Sequence, residues 1–370
     1  MYTAASSAPP GAAISHGPAG ITDLQVRNTE APCKQPGGEP ALPRRFDALP
    51  VIDIAGLAAA DPAARRKVAA ELRAAAAEVG FFYVRGHGVA PALEEGLLSA
   101  ARAFFDQPPA RKLASYIGRS TNHSGYVPEG EEVFEDGKID RKEAYDVGLD
   151  APEGGVAMLG PNLWPDLPGF RAPVAAYYAA MAGLARRLFR GFALALDLEE
   201  DHFEPHLTRP PSQLRLIHYP FDAHAADARG IGAHTDYEFF TILRPTAPGL
   251  EVMNGAGAWI DAPPLPDAFI INIGDMLEAW TNGTFTATSH RVRKVAAQRY
   301  SFPFFATCDY HTVVAPHPRF VSGVRPARYP PLVSGDHLYA QTVRTFAYLK
   351  ARRGEAAAPA FGQAAKQVQG

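Results

Sequence analysis

Hydrophobic and polar positions follow two different rhythms along this chain. Up to about residue 200 the marks are those of helices. Asp61-Pro62 opens a segment that runs through Glu78, with Gly80 just beyond it. Proline in the first turn and glycine past the last one frame a helix. A second helix is expected over about 91–105, ending before Pro108-Pro109, and a third over 172–196. In the third, Val174, Tyr177, Tyr178, Met181, Leu184, Leu188 and Phe192 recur at helical spacing. Short strands are expected at "VIDI" and "FFYVR", and within "EAYDVGL". From Gln213 to about Phe305 the rhythm changes. Runs such as "QLRLIHY", "FFTIL", "LEVM", "FIINIG", "HRVRKV" and "RYSFPFF" are cut by Gly, Pro and Asn-Gly. Many short strands parted by turns predict a sandwich or jelly roll. A last helical stretch is expected over 334–352.

Composition narrows the class. The chain has 370 residues, 47% of them hydrophobic, and a net charge of −3. A sizeable core is therefore available, and no basic face invites nucleic acid or a membrane surface. Cys33 and Cys308 are the two cysteines. They make no disulfide framework and no Cys-x-x-Cys motif, which suits a reducing, cytoplasmic setting. No apolar run reaches the roughly 18–20 residues of a spanning helix. The N-terminus lacks the basic start and apolar block of a secretory signal. Nothing in the sequence sets an oligomeric state.

The expected organisation is a disordered or loosely docked arm over 1–45, rich in Ala, Pro, Gly and Ser. One catalytic domain then covers 46–355, with a helical part at 46–200, a jelly-roll core at 201–310 and an extension at 311–355. Residues 356–370 make a flexible tail.

The candidate chemistry lies in the strand-rich part. His234 and Asp236 stand two apart beside "FFTIL". In extended chain such residues face the same way. A hydrogen-bonded pair at a strand end would look the same, so two residues alone decide nothing. His290 opens an alternating strand downstream and adds a third group. Two imidazoles and one carboxylate with open positions form the facial triad of non-haem iron(II) oxygenases. Nine residues further on come Arg299 and Ser301, again two apart. The guanidinium offers a fixed fork for a carboxylate and the serine a hydroxyl.

In these motifs the chain resembles the iron(II)- and 2-oxoglutarate-dependent dioxygenases of the isopenicillin N synthase-like family. "PVIDI", "GFFYVRGHGV", the long stretch from Trp259 to Val292 and "RYSFPFF" carry the resemblance, which covers nearly all of the chain after residue 45. It implies a mainly β fold with flanking helices, a double-stranded β-helix of the jelly-roll, cupin-like kind. It implies iron(II) held by His234, Asp236 and His290. It further implies O2 and 2-oxoglutarate as co-substrates, the latter's distal carboxylate on Arg299 and Ser301, and oxidation of a small molecule by hydroxylation, desaturation or cyclisation. Plant members carry Asn-x-Tyr ahead of the triad. Here Ile217 stands in the Asn position and Tyr219 is retained. The synthase itself, which uses no 2-oxoglutarate, keeps a similar Tyr-Pro and turns an Arg-x-Ser toward its substrate. "HSGYVPEGEEV" and "ARGIGAHTDY" also resemble the bacterial ethylene-forming enzyme. Two alternatives thus stay open: a 2-oxoglutarate-independent oxidase, and a silent jelly-roll binding protein.

Other polar residues have plainer readings. His202 and His206 flank Pro205, which breaks the helix they would need to share a metal. His87 sits in a turn and reads as structural. The acidic run "EGEEVFEDGKID" reads as a solvated loop, with a place at the pocket mouth as the alternative. Tyr237, Glu238 and Phe239 either shape the pocket or fill the core.

Overall fold

The computed structural model describes residues 45–133, 140–152, 155–221, 230–293 and 297–352. The expected N-terminal arm, apart from Arg45, and the tail lie outside the described residues. Among the described residues no helix is long and apolar enough to cross a membrane.

Seven α-helices are described: α1 Pro62–Glu78, α2 Pro91–Phe105, α3 Pro109–Leu113, α4 Arg171–Ala195, α5 Asp275–Trp280, α6 Ser334–Thr345 and α7 Ala347–Arg352. Asp61 caps α1 by accepting from the Ala63 N–H at 2.9 Å, and Pro62 occupies the first turn, where its missing N–H costs nothing. Gly80 follows with φ +72°, and a Cβ there would meet the Thr286 carbonyl oxygen at 2.1 Å. Glycine is therefore required at that stop. The expected C-terminal helix is two helices, because Phe346 leaves the helical conformation between them.

The strands are β1 Val51–Asp53, β2 Phe81–Arg85, β3 Gly125–Val127, β4 Glu143–Val147, β5 Gln213–Tyr219, β6 Ile231–His234 and β7 Phe240–Pro245. They continue as β8 Leu250–Met253, β9 Trp259–Asp261, β10 Phe269–Ile273, β11 His290–Val292, β12 Arg299–Ala306, β13 Val313–Val314 and β14 Leu332–Val333. Eight form one sheet in the order β1-β2-β10-β7-β12-β5-β4-β3, and four form a second in the order β6-β11-β8-β9. The jelly roll is thus two sheets rather than one closed barrel. Strands β1 to β4 belong to the large sheet although they precede residue 200, so the N-terminal part is less purely helical than its rhythm suggests.

Alternation along the strands separates two cores. On β12, Tyr300, Phe302 and Phe304 face outward into a core shared with α1, α2 and α4. Tyr178 of α4 meets Phe304 edge-on at 5.3 Å, and Phe189 meets Phe240 at 4.8 Å. On the other face Ile217, Leu243 and Ile270 of the large sheet pack with Leu250, Val252 and Val292 of the small one. The helices clamp the large sheet from outside.

Candidate metal centre

His234 ends β6 and His290 opens β11, and the two are direct cross-strand partners. Their rings lie 4.3 Å apart between centroids. Asp236 is reached by a bend after β6 rather than by continued strand alternation. Its Oδ1 lies 3.5 Å from His234 Nε2 and 3.6 Å from His290 Nε2. The three ligand atoms fall within 4.8 Å of one another, and together they form the cluster that the described residues offer a metal ion.

Each side chain is oriented from behind. His234 Nδ1 contacts the Gly232 carbonyl at 2.8 Å and His290 Nδ1 contacts that of Thr288 at 3.2 Å. A proton on each Nδ1 satisfies the carbonyl and leaves the Nε2 lone pair toward the centre. Phe81 of β2 meets the His290 ring edge-on at 5.0 Å. Asp236 Oδ2 accepts from Asn272 Nδ2 at 2.7 Å and from the Thr241 hydroxyl. Asn272 and Thr241 are themselves paired across β10 and β7. Both donors take one carboxylate oxygen, so the other is presented to the histidines. Gly274 makes this loop possible: a Cβ there would stand 2.2 Å from the Glu238 carbonyl oxygen.

The electrostatics follow. Burial pushes the Asp236 carboxyl up, but the two imidazoles and the Thr241 hydroxyl outweigh it and leave it well below the ordinary range. Burial, then the neighbouring His234, pushes His290 down to about 4. For His234 burial pulls down and the Asp236 carboxylate more than compensates, so it ends above its ordinary value. Two imidazole nitrogens and an anionic oxygen converging on one point fit a divalent transition metal.

Arg299 and Ser301 share the inner face of β12. Arg299 pairs in register with Tyr219, and Ser301 with Ile217. Arg299 is 1% exposed. Its Nε donates to the Ala247 carbonyl at 3.1 Å, and its guanidinium lies 4.7 Å from the centre of the Tyr219 ring. Among the described residues its Nη1 has no partner. A buried cation with a free prong suits a carboxylate ligand.

The acidic run differs from expectation. Its segment 134–139 lies outside the described residues, but Glu131 and Glu132 are buried, not solvated. Glu132 bridges Arg215 at 2.6 Å and Lys142 at 2.5 Å. Arg215 also forks onto Asp146 with two contacts of 2.7 Å. Arg215 lies on the same face of β5 as Ile217 and Tyr219, so this network lines the space between the sheets.

The minor candidates stay minor. His202 stacks edge-on against Trp280 and His317, and His206 belongs to a short turn. His87 is buried, and its Nδ1 accepts from the Val89 N–H. Phe239 fills the outer core, whereas Tyr237 is half-buried beside α6. The sequence reading missed Asn272 and Thr241. An asparagine inside the otherwise apolar "FIINI" was the signal available.

Known proteins share this arrangement of sequence and fold. Residues 49–167 match the family described as the non-haem dioxygenase in morphine synthesis N-terminal region, and residues 210–307 the 2OG-Fe(II) oxygenase superfamily. The chain is 35% identical to the 2-oxoglutarate-dependent dioxygenase caaD of Aspergillus niger, covering 74% of this chain and 89% of that one. It is 34% identical to a homoarginine-6-hydroxylase of Oryza sativa, covering 81% and 98%. Among solved structures, a 2OG-Fe(II) oxygenase family protein of Caulobacter crescentus superposes with a TM-score of 0.72 at 30% identity, covering 80% and 99%.

Proposed function

Because this chain belongs to the iron(II)- and 2-oxoglutarate-dependent oxygenases of the isopenicillin N synthase-like type, we propose that His234, Asp236 and His290 hold its iron. We propose also that Arg299, Ser301 and Tyr219 seat its 2-oxoglutarate. The enzyme is an oxidoreductase that couples oxidation of a small molecule by O2 to conversion of 2-oxoglutarate into succinate and carbon dioxide. The two alternatives, an oxidase without 2-oxoglutarate and a silent binding protein, lose their ground to that family placement.

The observation that carries the ligand assignment is the convergence of two imidazole nitrogens and one carboxylate oxygen within 4.8 Å. When bound, iron(II) supplies the redox chemistry of oxygen activation. The protein's part is placement. Asn272 and Thr241 fix the Asp236 carboxylate, and the backbone carbonyls of Gly232 and Thr288 fix the two rings. Three protein ligands would leave an iron ion with positions open to co-substrates. Arg299 holds the far carboxylate with its free Nη1, Tyr219 lies beneath the guanidinium, and Ser301 adds a hydroxyl on the same face. Asp236, His290, Arg299, Ser301 and Tyr219 are buried, which strengthens their contacts.

We propose 46–355 as one catalytic unit, since α1, α2 and α4 share a core with β7, β10 and β12. Its two cysteines make no disulfide framework, which supports a cytoplasmic setting. The rice relative makes L-homoarginine the first substrate to assay.

The test is the set His234→Ala, Asp236→Ala and His290→Ala. Each is expected to lose at least tenfold in iron(II) affinity and to abolish succinate formation, with circular dichroism unchanged. A variant that kept wild-type iron content and turnover would remove that residue from the ligand set.

A further inference from the structure

Helix α6 is anchored at both ends. Gly335 N–H donates to the Tyr310 carbonyl at 2.8 Å, and the Ser334 and Thr307 hydroxyls meet at 3.2 Å, just past the end of β12. At its other end the Val133 N–H donates to the Thr345 carbonyl at 2.9 Å. Phe346 lies under the Arg215 guanidinium, 5.5 Å from it. Between these anchors, His337 and Gln341 stand one helical turn apart on the same face. His337 is 1% exposed and Gln341 5%. The His337 ring lies 6.4 Å from that of Tyr237, the residue directly after Asp236.

Among the described residues neither ring nitrogen of His337 has a hydrogen-bond partner, and neither does Nε2 of Gln341. Buried polar groups are nearly always paired, and each exception needs a reason. Three such atoms on one helical face, beside the residue that follows Asp236, share one reason if a ligand completes them. Burial, then Arg344, pushes the His337 imidazole down to about 4, so the ring is neutral near pH 7 and offers one N–H and one lone pair. The Gln341 amide nitrogen only donates.

We propose that His337 and Gln341 contact the primary substrate, and that this substrate is a polar small molecule with an acceptor oxygen, from a carboxylate or an amide carbonyl, facing α6. The inference rests on the iron and 2-oxoglutarate reading above. The Gln341 amide and the His337 N–H donate to that oxygen. The remaining imidazole nitrogen accepts from a neighbouring N–H or O–H of the same molecule. The pair thus selects against hydrocarbon substrates of equal size.

The experiment uses the full chain carrying Gln341→Met, His337→Phe or both, which keep shape and remove the polar atoms. The first readout is thermal stability without substrate. Removing unpaired buried polar atoms leaves the midpoint equal to or above wild type; a fall of several degrees in both single variants would mean that these groups have structural partners, and would overturn the proposal. The second readout is succinate release stimulated by L-homoarginine, which brings a carboxylate, by thymine, which brings imide carbonyls, and by toluene, which brings neither. An oxygen-bearing probe is expected to stimulate the wild type, with its KM raised about tenfold or more in the double variant and kcat changed less. Stimulation by toluene equal to that of the oxygen-bearing probes, or an unchanged KM in the double variant, would overturn it. The stability result stands whether or not a probe is turned over. Anaerobic iron(II) and 2-oxoglutarate binding is measured in parallel and stays at wild-type level in the variants. Its absence from the wild type would sink the metal reading instead.

Discussion

Arg299→Lys isolates the proposed 2-oxoglutarate contact. The native guanidinium is buried, spends Nε on the Ala247 carbonyl at 3.1 Å, rests on Tyr219 and, among the described residues, has no partner for Nη1. Its planar fork can therefore bond Ala247 and an incoming carboxylate at once. A lysine ammonium is a single point on a flexible stem. It keeps the charge but must choose between those two acceptors. A charge-assisted hydrogen bond contributes about 1.5–3 kcal/mol, and each ~1.4 kcal/mol is tenfold in affinity. The apparent constant for 2-oxoglutarate should rise roughly ten- to hundredfold. Iron affinity should hold, because His234, Asp236 and His290 are untouched. The assay is succinate release against 2-oxoglutarate concentration at saturating iron(II), with the thermal midpoint as control. A 2-oxoglutarate constant within twofold of wild type, in a folded variant with full iron, would refute the assignment of Arg299.

Two further outcomes are expected. Asn272→Leu removes the 2.7 Å donor to Asp236 Oδ2; iron(II) affinity should fall about 10–100-fold, and wild-type affinity would contradict the orienting role. Glu132→Gln tests the buried network: burial raises this carboxyl, but Arg215 and Lys142 prevail and hold it down to about 2, against an ordinary 4.5. A folded value below the unfolded one means the pairing stabilises fully above about pH 4.5 and is lost as pH falls toward 2. The variant should lose about 3–5 kcal/mol at neutral pH and show a shallower acid limb in thermal midpoint against pH; parallel acid limbs would contradict it.

What the sequence disclosed, and what it hid, divides by range. Helices α1 and α2 were legible to the residue because their signals are local: Asp61-Pro62 and Gly80 around one, Pro91 and the Pro108-Pro109 pair around the other. The convergence of His234, Asp236 and His290 was legible from residue type and spacing, although Asp236 lies beyond the end of β6 and strand alternation does not place it. That Arg299 and Ser301 share one face of a strand was legible too, since they alternate with Tyr300 and Phe302. The Glu132 pairing was hidden, since its partner Arg215 lies 83 positions away and the two meet only in the folded chain. Asn272 and Thr241 were hidden in like manner. Each looks like an ordinary strand residue until β10 and β7 align and Asp236 bends over both. His337 and Gln341 sit in a helix whose sequence gives no sign of what it covers.

The most direct measurement of the central claim is an anaerobic titration of the purified chain with iron(II), with and without 2-oxoglutarate, read in the visible spectrum. The account predicts one iron per chain and a weak metal-to-ligand band that needs both components. That band should be lost in Asp236→Ala, and should require far more 2-oxoglutarate in Arg299→Lys. Iron binding with no such band at saturating 2-oxoglutarate, or a band that survives loss of Asp236, would contradict it.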